Sequence, residues 1–172
     1  MSKLILVTMA ATIAKSLFGG SEPLEVGAPA PDVTTLNQNG ESVSLGELYQ
    51  KGLVLVYFYP KADTPGCTKQ ACSLRDAYAE LTDRGVTVVG VSSDRLESQK
   101  KFQEKYNLPF TLMADSDRKI IEAFGVPTRL GIASRQAFLV KNSKIVWRDL
   151  KASTSEQAAD VLAVLDAMAT ES

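Results

Sequence analysis

The chain contains no histidine in 172 residues, and only two cysteines and one tryptophan. Without histidine, neither a Cys–His nor a Ser–His pair is available for nucleophilic catalysis. A zinc site wants about four nitrogen or sulfur ligands, and two thiols leave it short. Two cysteines are also too few for the disulfide framework of a small secreted scaffold. Charge of one sign is lacking as well: 19 basic and 20 acidic residues give a net charge of -1. Such a chain has no field to gather nucleic acid or an anionic membrane surface, so neither is expected as a partner. Finally, the apolar run Leu4 to Ala14 is shorter than the roughly twenty residues a membrane-spanning helix requires, so no stable membrane insertion is expected. That run, set between Lys3 and Lys15 and followed by Gly19-Gly20, does fit the core of a secretory signal. Residues 1–20 therefore read as a leader, whether signal, anchor or flexible arm. A cytoplasmic location and an exported or tethered one both stay open.

What is present describes one globular domain over residues 21–172. With 45% hydrophobic and 23% charged residues, the chain can build one core of ordinary size. Asn37-Gln38-Asn39-Gly40 between β-branched runs predicts a hairpin, and Ser44 with Glu47 predicts a capping box opening a short helix. Leu53 to Tyr59, LVLVYFY, is apolar without alternation, as in a central strand covered on both faces. Ala71, Leu74, Ala77, Tyr78 and Leu81 have helical spacing, which predicts one helix from Pro65 to about Arg84, ended by Gly85. VTVVGVSS at 86–93 predicts a second buried strand, completing a parallel βαβ unit. Further on come a helix over 97–106, a strand over 111–115 and a short helix over 118–124. A hairpin turning at Asn142-Ser143 follows, and then a last helix capped by Ser153 with Glu156 and running to about Met168. This order points to a three-layer α/β/α sandwich around a mixed sheet, of which the thioredoxin-like fold is the commonest small example.

Both cysteines fall in YPKADTPGCTKQACSLRD, residues 59–76, where the first strand of the βαβ unit passes into its helix. Ligands meet α/β sheets at such strand ends. With Thr64 as N-cap and Pro65 as first helical residue, Cys67 sits in the first turn, among N–H groups that lack helical partners. Those groups and the helix dipole favour the thiolate. In the absence of histidine a further stabilising charge would come from arginine, which cannot take a proton. Cys72 lies five residues on, which in a helix separates the two Cα atoms by about 8.6 Å and turns the side chains roughly 140° apart. A disulfide wants Cα atoms about 4.4–6.8 Å apart, so the two thiols can bond only if the helix opens.

Pro60-Lys61-Ala62-Asp63-Thr64-Pro65-Gly66-Cys67 resembles the P-x-x-x-T-x-x-C motif of peroxiredoxins, and Cys72 resembles the second cysteine of their PrxQ group, also called bacterioferritin comigratory proteins (BCP). The resemblance runs from about Leu24 to the last helix, through PAPDV at 29–33, AFGV at 123–126 and Arg135 before the strand at Phe138. It implies a thiol peroxidase acting on hydrogen peroxide and organic hydroperoxides. In that reading Cys67 is the peroxidatic thiolate and Cys72 the resolving cysteine that forms an intramolecular disulfide. Pro60 shields the thiolate, Thr64 positions the peroxide and Arg135 holds sulfur and substrate oxygen. No cofactor is implied, the electron donor is thioredoxin or a similar dithiol, and resolution within one chain is compatible with a monomer. The chain departs from the pattern at Ala137 and in a hairpin turn without the usual aspartate and glycine, which leaves Arg129 as the competing arginine. A thiol-disulfide oxidoreductase would more usually carry C-x-x-C, and a thioredoxin-like binding module would consume no peroxide.

Overall fold

The long apolar run becomes the middle strand of the molecule. The computed structural model describes residues 22–171, so the leader expected at 1–20 lies outside the described residues. Strand β3 (Leu53–Phe58) pairs in parallel with β4 (Val86–Ser92) and antiparallel with β8 (Gln136–Lys141). β5 (Thr111–Ala114) extends the sheet beside β4 and β9 (Lys144–Asp149) beside β8, giving the order β5-β4-β3-β8-β9. Alternate β3 side chains serve two cores. Leu55, Tyr57 and Tyr59 join Ala71, Leu74, Leu81, Phe102 and Val161 on one face, while Val54, Val56 and Phe58 join Leu45, Ile120, Phe124 and Phe138 on the other. Both faces being covered explains the absence of polar alternation along this strand.

The layers follow from those two clusters. On one face lie α2 (Pro65–Asp76), α3 (Tyr78–Asp83), α4 (Leu96–Tyr106) and α6 (Gln157–Thr170); on the other lie α1 (Leu45–Tyr49) and α5 (Lys119–Ala123). The fold is the expected thioredoxin-like α/β/α sandwich with a mixed sheet. The first hairpin forms between β1 (Thr34–Leu36) and β2 (Ser42–Ser44), with the Asn37 side-chain oxygen accepting from the N–H groups of Asn39 and Glu41. Ser44 caps α1 by accepting from Glu47 N–H at 3.2 Å. The β8–β9 turn places Asn142 and Ser143 at φ 51° and 59°, a two-residue turn whose twist suits the strands it joins.

Two expectations need correction, and one element is added. The single helix over 65–84 is two: at Ala77 the backbone leaves the helical region (φ −95°, ψ 5°) and restarts as α3. Beyond this break the Tyr78 ring lies against Phe110 and Leu81 is buried, tertiary contacts that outweigh continuous helical spacing. Ser153 does not cap the last helix. Its hydroxyl accepts from Ser155 and Glu156 in the preceding turn, and Glu156 holds the N-cap position without a side-chain bond. A small hairpin, β6 (Thr128–Arg129) with β7 (Ile132–Ala133), was not expected; Leu130 at φ 52° and Gly131 at φ 76° turn it.

Candidate active site

Beyond β3 the chain passes through Tyr59 and half-buried Pro60 into a loop held from two sides. Ala62 N–H donates to Asp94 Oδ2 at 2.8 Å. Asp63, in the left-handed region at φ 57°, accepts from Lys105 Nζ at 2.9 Å and from the Tyr106 hydroxyl at 2.8 Å. Lys105 first, then Tyr106, holds the Asp63 carboxyl below its ordinary value of 3.8. Thr64 then takes the N-cap position with Pro65 as the first helical residue, as expected. Its side chain does not cap. The hydroxyl instead donates to Lys61 O at 2.7 Å, which leaves its oxygen lone pairs free to accept.

The first helical bond runs from Thr68 N–H to Thr64 O, so the N–H groups of Gly66 and Cys67 lie ahead of the backbone ladder. Cys67 is 1% exposed, on the inward face of α2 with Gln70, Ala71 and Leu74. Arg135 approaches from just before β8, and its Nη2 donates to Cys67 Sγ at 3.5 Å. Of the two candidate arginines, Arg135 reaches the sulfur, whereas Arg129 sits exposed on β6. Cys72 is half-buried, both thiols are free, and the helix carrying them is unbroken from Pro65 to Asp76.

Five participants escaped the sequence reading. Gln70 accepts from Arg135 Nη1 at 2.6 Å, fixing the guanidinium against the sulfur. Its spacing of three from Cys67 on a helix was a usable signal. Gln157 accepts from Gln70 Nε2 at 2.7 Å across 87 residues, which no local pattern marks. Gly66 gives the arginine room: a Cβ there would lie 3.0 Å from Arg135 Nη2 and 3.3 Å from Thr154 Cγ2, which makes Thr154 another wall of the site. In the core cluster that includes Cys67, Tyr57 is fully buried with its hydroxyl close over Gly90. Burial, and after it Tyr59, pushes its pKa well above the ordinary phenol value.

Fold and site together narrow the class to thiol-based oxidoreductases of the thioredoxin-like fold. Comparison with known proteins then gives the family: residues 26–148 match the AhpC/TSA family. A putative peroxiredoxin bcp of Coxiella burnetii is 48% identical over 103 residues, covering 60% of this chain and 68% of that protein. Matches to curated relatives span 56% of a rice chloroplast peroxiredoxin Q and 68% of the Coxiella protein. Among solved structures, peroxidoxin BcpB from Mycobacterium tuberculosis superposes with TM-score 0.78 at 31% identity, covering 84% of this chain and 97% of that one. A Xanthomonas campestris bacterioferritin comigratory protein, described for its alkyl peroxide reduction activity, gives TM-score 0.76 at 28% identity over 85% of this chain and 98% of its own. The chain belongs to the AhpC/TSA family and, within it, to the Bcp and peroxiredoxin Q type. That membership identifies it as a thiol peroxidase.

Proposed function

We propose that this peroxidase works through Cys67 as the attacking sulfur and Cys72 as the resolving one. The Cys67 thiolate attacks one peroxide oxygen; the S–O bond forms as the O–O bond breaks, and the departing alkoxide or hydroxide takes a proton. Cys67 is left as sulfenic acid. Negative charge grows on the departing oxygen, and donors arranged in advance stabilise it. The donors at hand are Arg135 and the N–H groups of the first turn of α2. Thr64 can accept the peroxide's O–H, since its own proton is committed to Lys61 O. Pro60 walls the approach. Cys72 then displaces water from the sulfenic acid to form the disulfide, and a thioredoxin-type dithiol restores both thiols by exchange. With both sulfurs on one helix the cycle needs no second subunit, so a monomer suffices. Hydrogen peroxide and small organic hydroperoxides are the substrates, the latter supported by the activity described for the Xanthomonas relative.

The observation that carries this reading is the Arg135 guanidinium 3.5 Å from a buried first-turn cysteine sulfur. Stopped-flow mixing of the reduced protein with hydrogen peroxide tests it. One equivalent of peroxide should be consumed rapidly, and Cys67→Ser should abolish the consumption. Unchanged consumption in that variant would refute the assignment.

A further inference from the structure

The reaction requires α2 to hold Cys67 in a helix for the first step and to release it for the second. What keeps this helix closed is therefore a kinetic determinant. α2 is joined to the start of α6 by two hydrogen bonds. Gln70 Nε2 donates to Gln157 Oε1 at 2.7 Å, and Ser73 Oγ accepts from the backbone N–H of Ala158 at 3.3 Å. The second bond is a cap supplied from another helix: a hydroxyl of α2 satisfies one of the unpartnered N–H groups in the first turn of α6.

The direction of the amide chain is settled by its end member. Guanidinium has donors only, so Gln70 must turn its oxygen to Arg135 and its nitrogen to Gln157, which must answer with oxygen. Gln157 is fully buried, and its own Nε2 finds no partner among the described residues. One side of this junction is fixed independently. α6 is gripped further along by Arg84, which donates to Leu162 O at 3.3 Å and pairs with Asp166. The other side is the segment that must move: Cys67 to Cys72 ends one residue before Ser73.

We propose that Gln157 and Ser73 form a latch that holds α2 closed, with Gln157 also a positioning residue acting on Arg135 through Gln70. The latch is strongest while Cys67 is a thiolate, because the charged sulfur draws Arg135, and Arg135 draws Gln70. Conversion to sulfenic acid neutralises the sulfur and leaves the latch with its neutral hydrogen bonds alone. The latch then sets a partition. A sulfenic acid held in the closed helix can meet a second peroxide, whose oxygen adds to sulfur to give sulfinic acid while the remainder leaves as alcohol or water. One released from the helix meets Cys72, forms the disulfide and expels water. A weaker latch favours the disulfide.

This inference rests on the peroxidase reading, and one experiment separates the two. The full chain, Ser73→Ala, Ser73→Thr and Gln157→Leu are reduced and mixed with hydrogen peroxide, and the fluorescence of Trp147, the single tryptophan, is followed. The peroxide-dependent phase reports the first step and the peroxide-independent phase reports disulfide formation. Mass spectrometry after cycling with thioredoxin gives the sulfinic fraction. Ser73→Ala, which touches none of the reacting groups, should leave the first phase unchanged, speed the second about fivefold and lower the sulfinic fraction. Ser73→Thr should restore both, which a general loss of packing would not. Gln157→Leu should speed the second phase and also slow the first, because Arg135 loses its orientation. If Ser73→Ala does not fold, Gln157→Leu decides on the second phase alone. A second phase at the wild-type rate in the variants, with a normal first phase in the wild type, overturns the latch; no first phase in the wild type overturns the peroxidase reading itself.

Discussion

Gly66 is the smallest residue at the site and one of the most constrained. A Cβ on it would meet Arg135 Nη2 at 3.0 Å, so a methyl group must displace the guanidinium by a few tenths of an ångström or more. On the proposed mechanism small displacements of Arg135 are costly, and Gly66→Ala is expected to slow peroxide consumption by about ten- to a hundredfold with little change in melting temperature. Stopped-flow kinetics beside thermal denaturation checks this. Asp63 carries a different kind of prediction. Its carboxyl, held below 3.8 chiefly by Lys105, is more acidic folded than unfolded, so the stability it contributes is present above the ordinary aspartate range and lost as pH falls through the folded value. Because the pair is exposed, the effect is small. Urea denaturation should find Asp63→Asn less stable than wild type at neutral pH, with the gap narrowing as pH falls below the ordinary aspartate range. An undiminished gap in acid would place the effect elsewhere.

Elements were legible in proportion to how local their causes are. The hairpin at Asn37–Gly40, the Ser44 cap and the Asn142-Ser143 turn depend on residues within a few positions, and all three form where the sequence places them. The division of 65–84 into α2 and α3 depends on Phe110, more than thirty positions away, and could not be read from helical spacing alone. The site divides in the same way. Thr64, Pro65 and Cys67 are announced by a contiguous stretch of sequence, and Arg135 by its place before a strand. Gln157, Thr154 and the β6–β7 hairpin that carries Arg129 away from the site belong to tertiary structure. The intact α2 gives a direct expectation for Cys72→Ser: a single fast turnover of peroxide, then a stalled sulfenic acid that dimedone labels and thioredoxin does not recycle. Sustained turnover with thioredoxin would remove Cys72 from the mechanism.

At the scale of the whole molecule, the candidate site belongs to one of the two cores and not to the other. Cys67 belongs to the core that contains α2 and α6, while the Phe58, Phe124 and Phe138 rings, with centroids 5.2–5.8 Å apart, fill the opposite one. Phe138 is fully buried, and Phe138→Ala should cost about 3–5 kcal/mol, lowering the melting temperature sharply while the folded fraction still reacts with peroxide at its normal rate. Loss of the rate constant in the folded protein would show that the two cores are coupled.

The interruption at Ala77 bears on how much of the molecule each catalytic cycle disturbs. Helices melt cooperatively, and a continuous rod through Arg84 would carry disorder from Cys67 into Leu81 and the middle of the core. Because the backbone already departs from helical geometry at Ala77, and Arg75 just ahead of it is anchored to Tyr106 O at 2.8 Å, the disturbance has a built-in terminus. On the proposed mechanism, the opening is thus confined to α2 and spares α3 and the core beyond it.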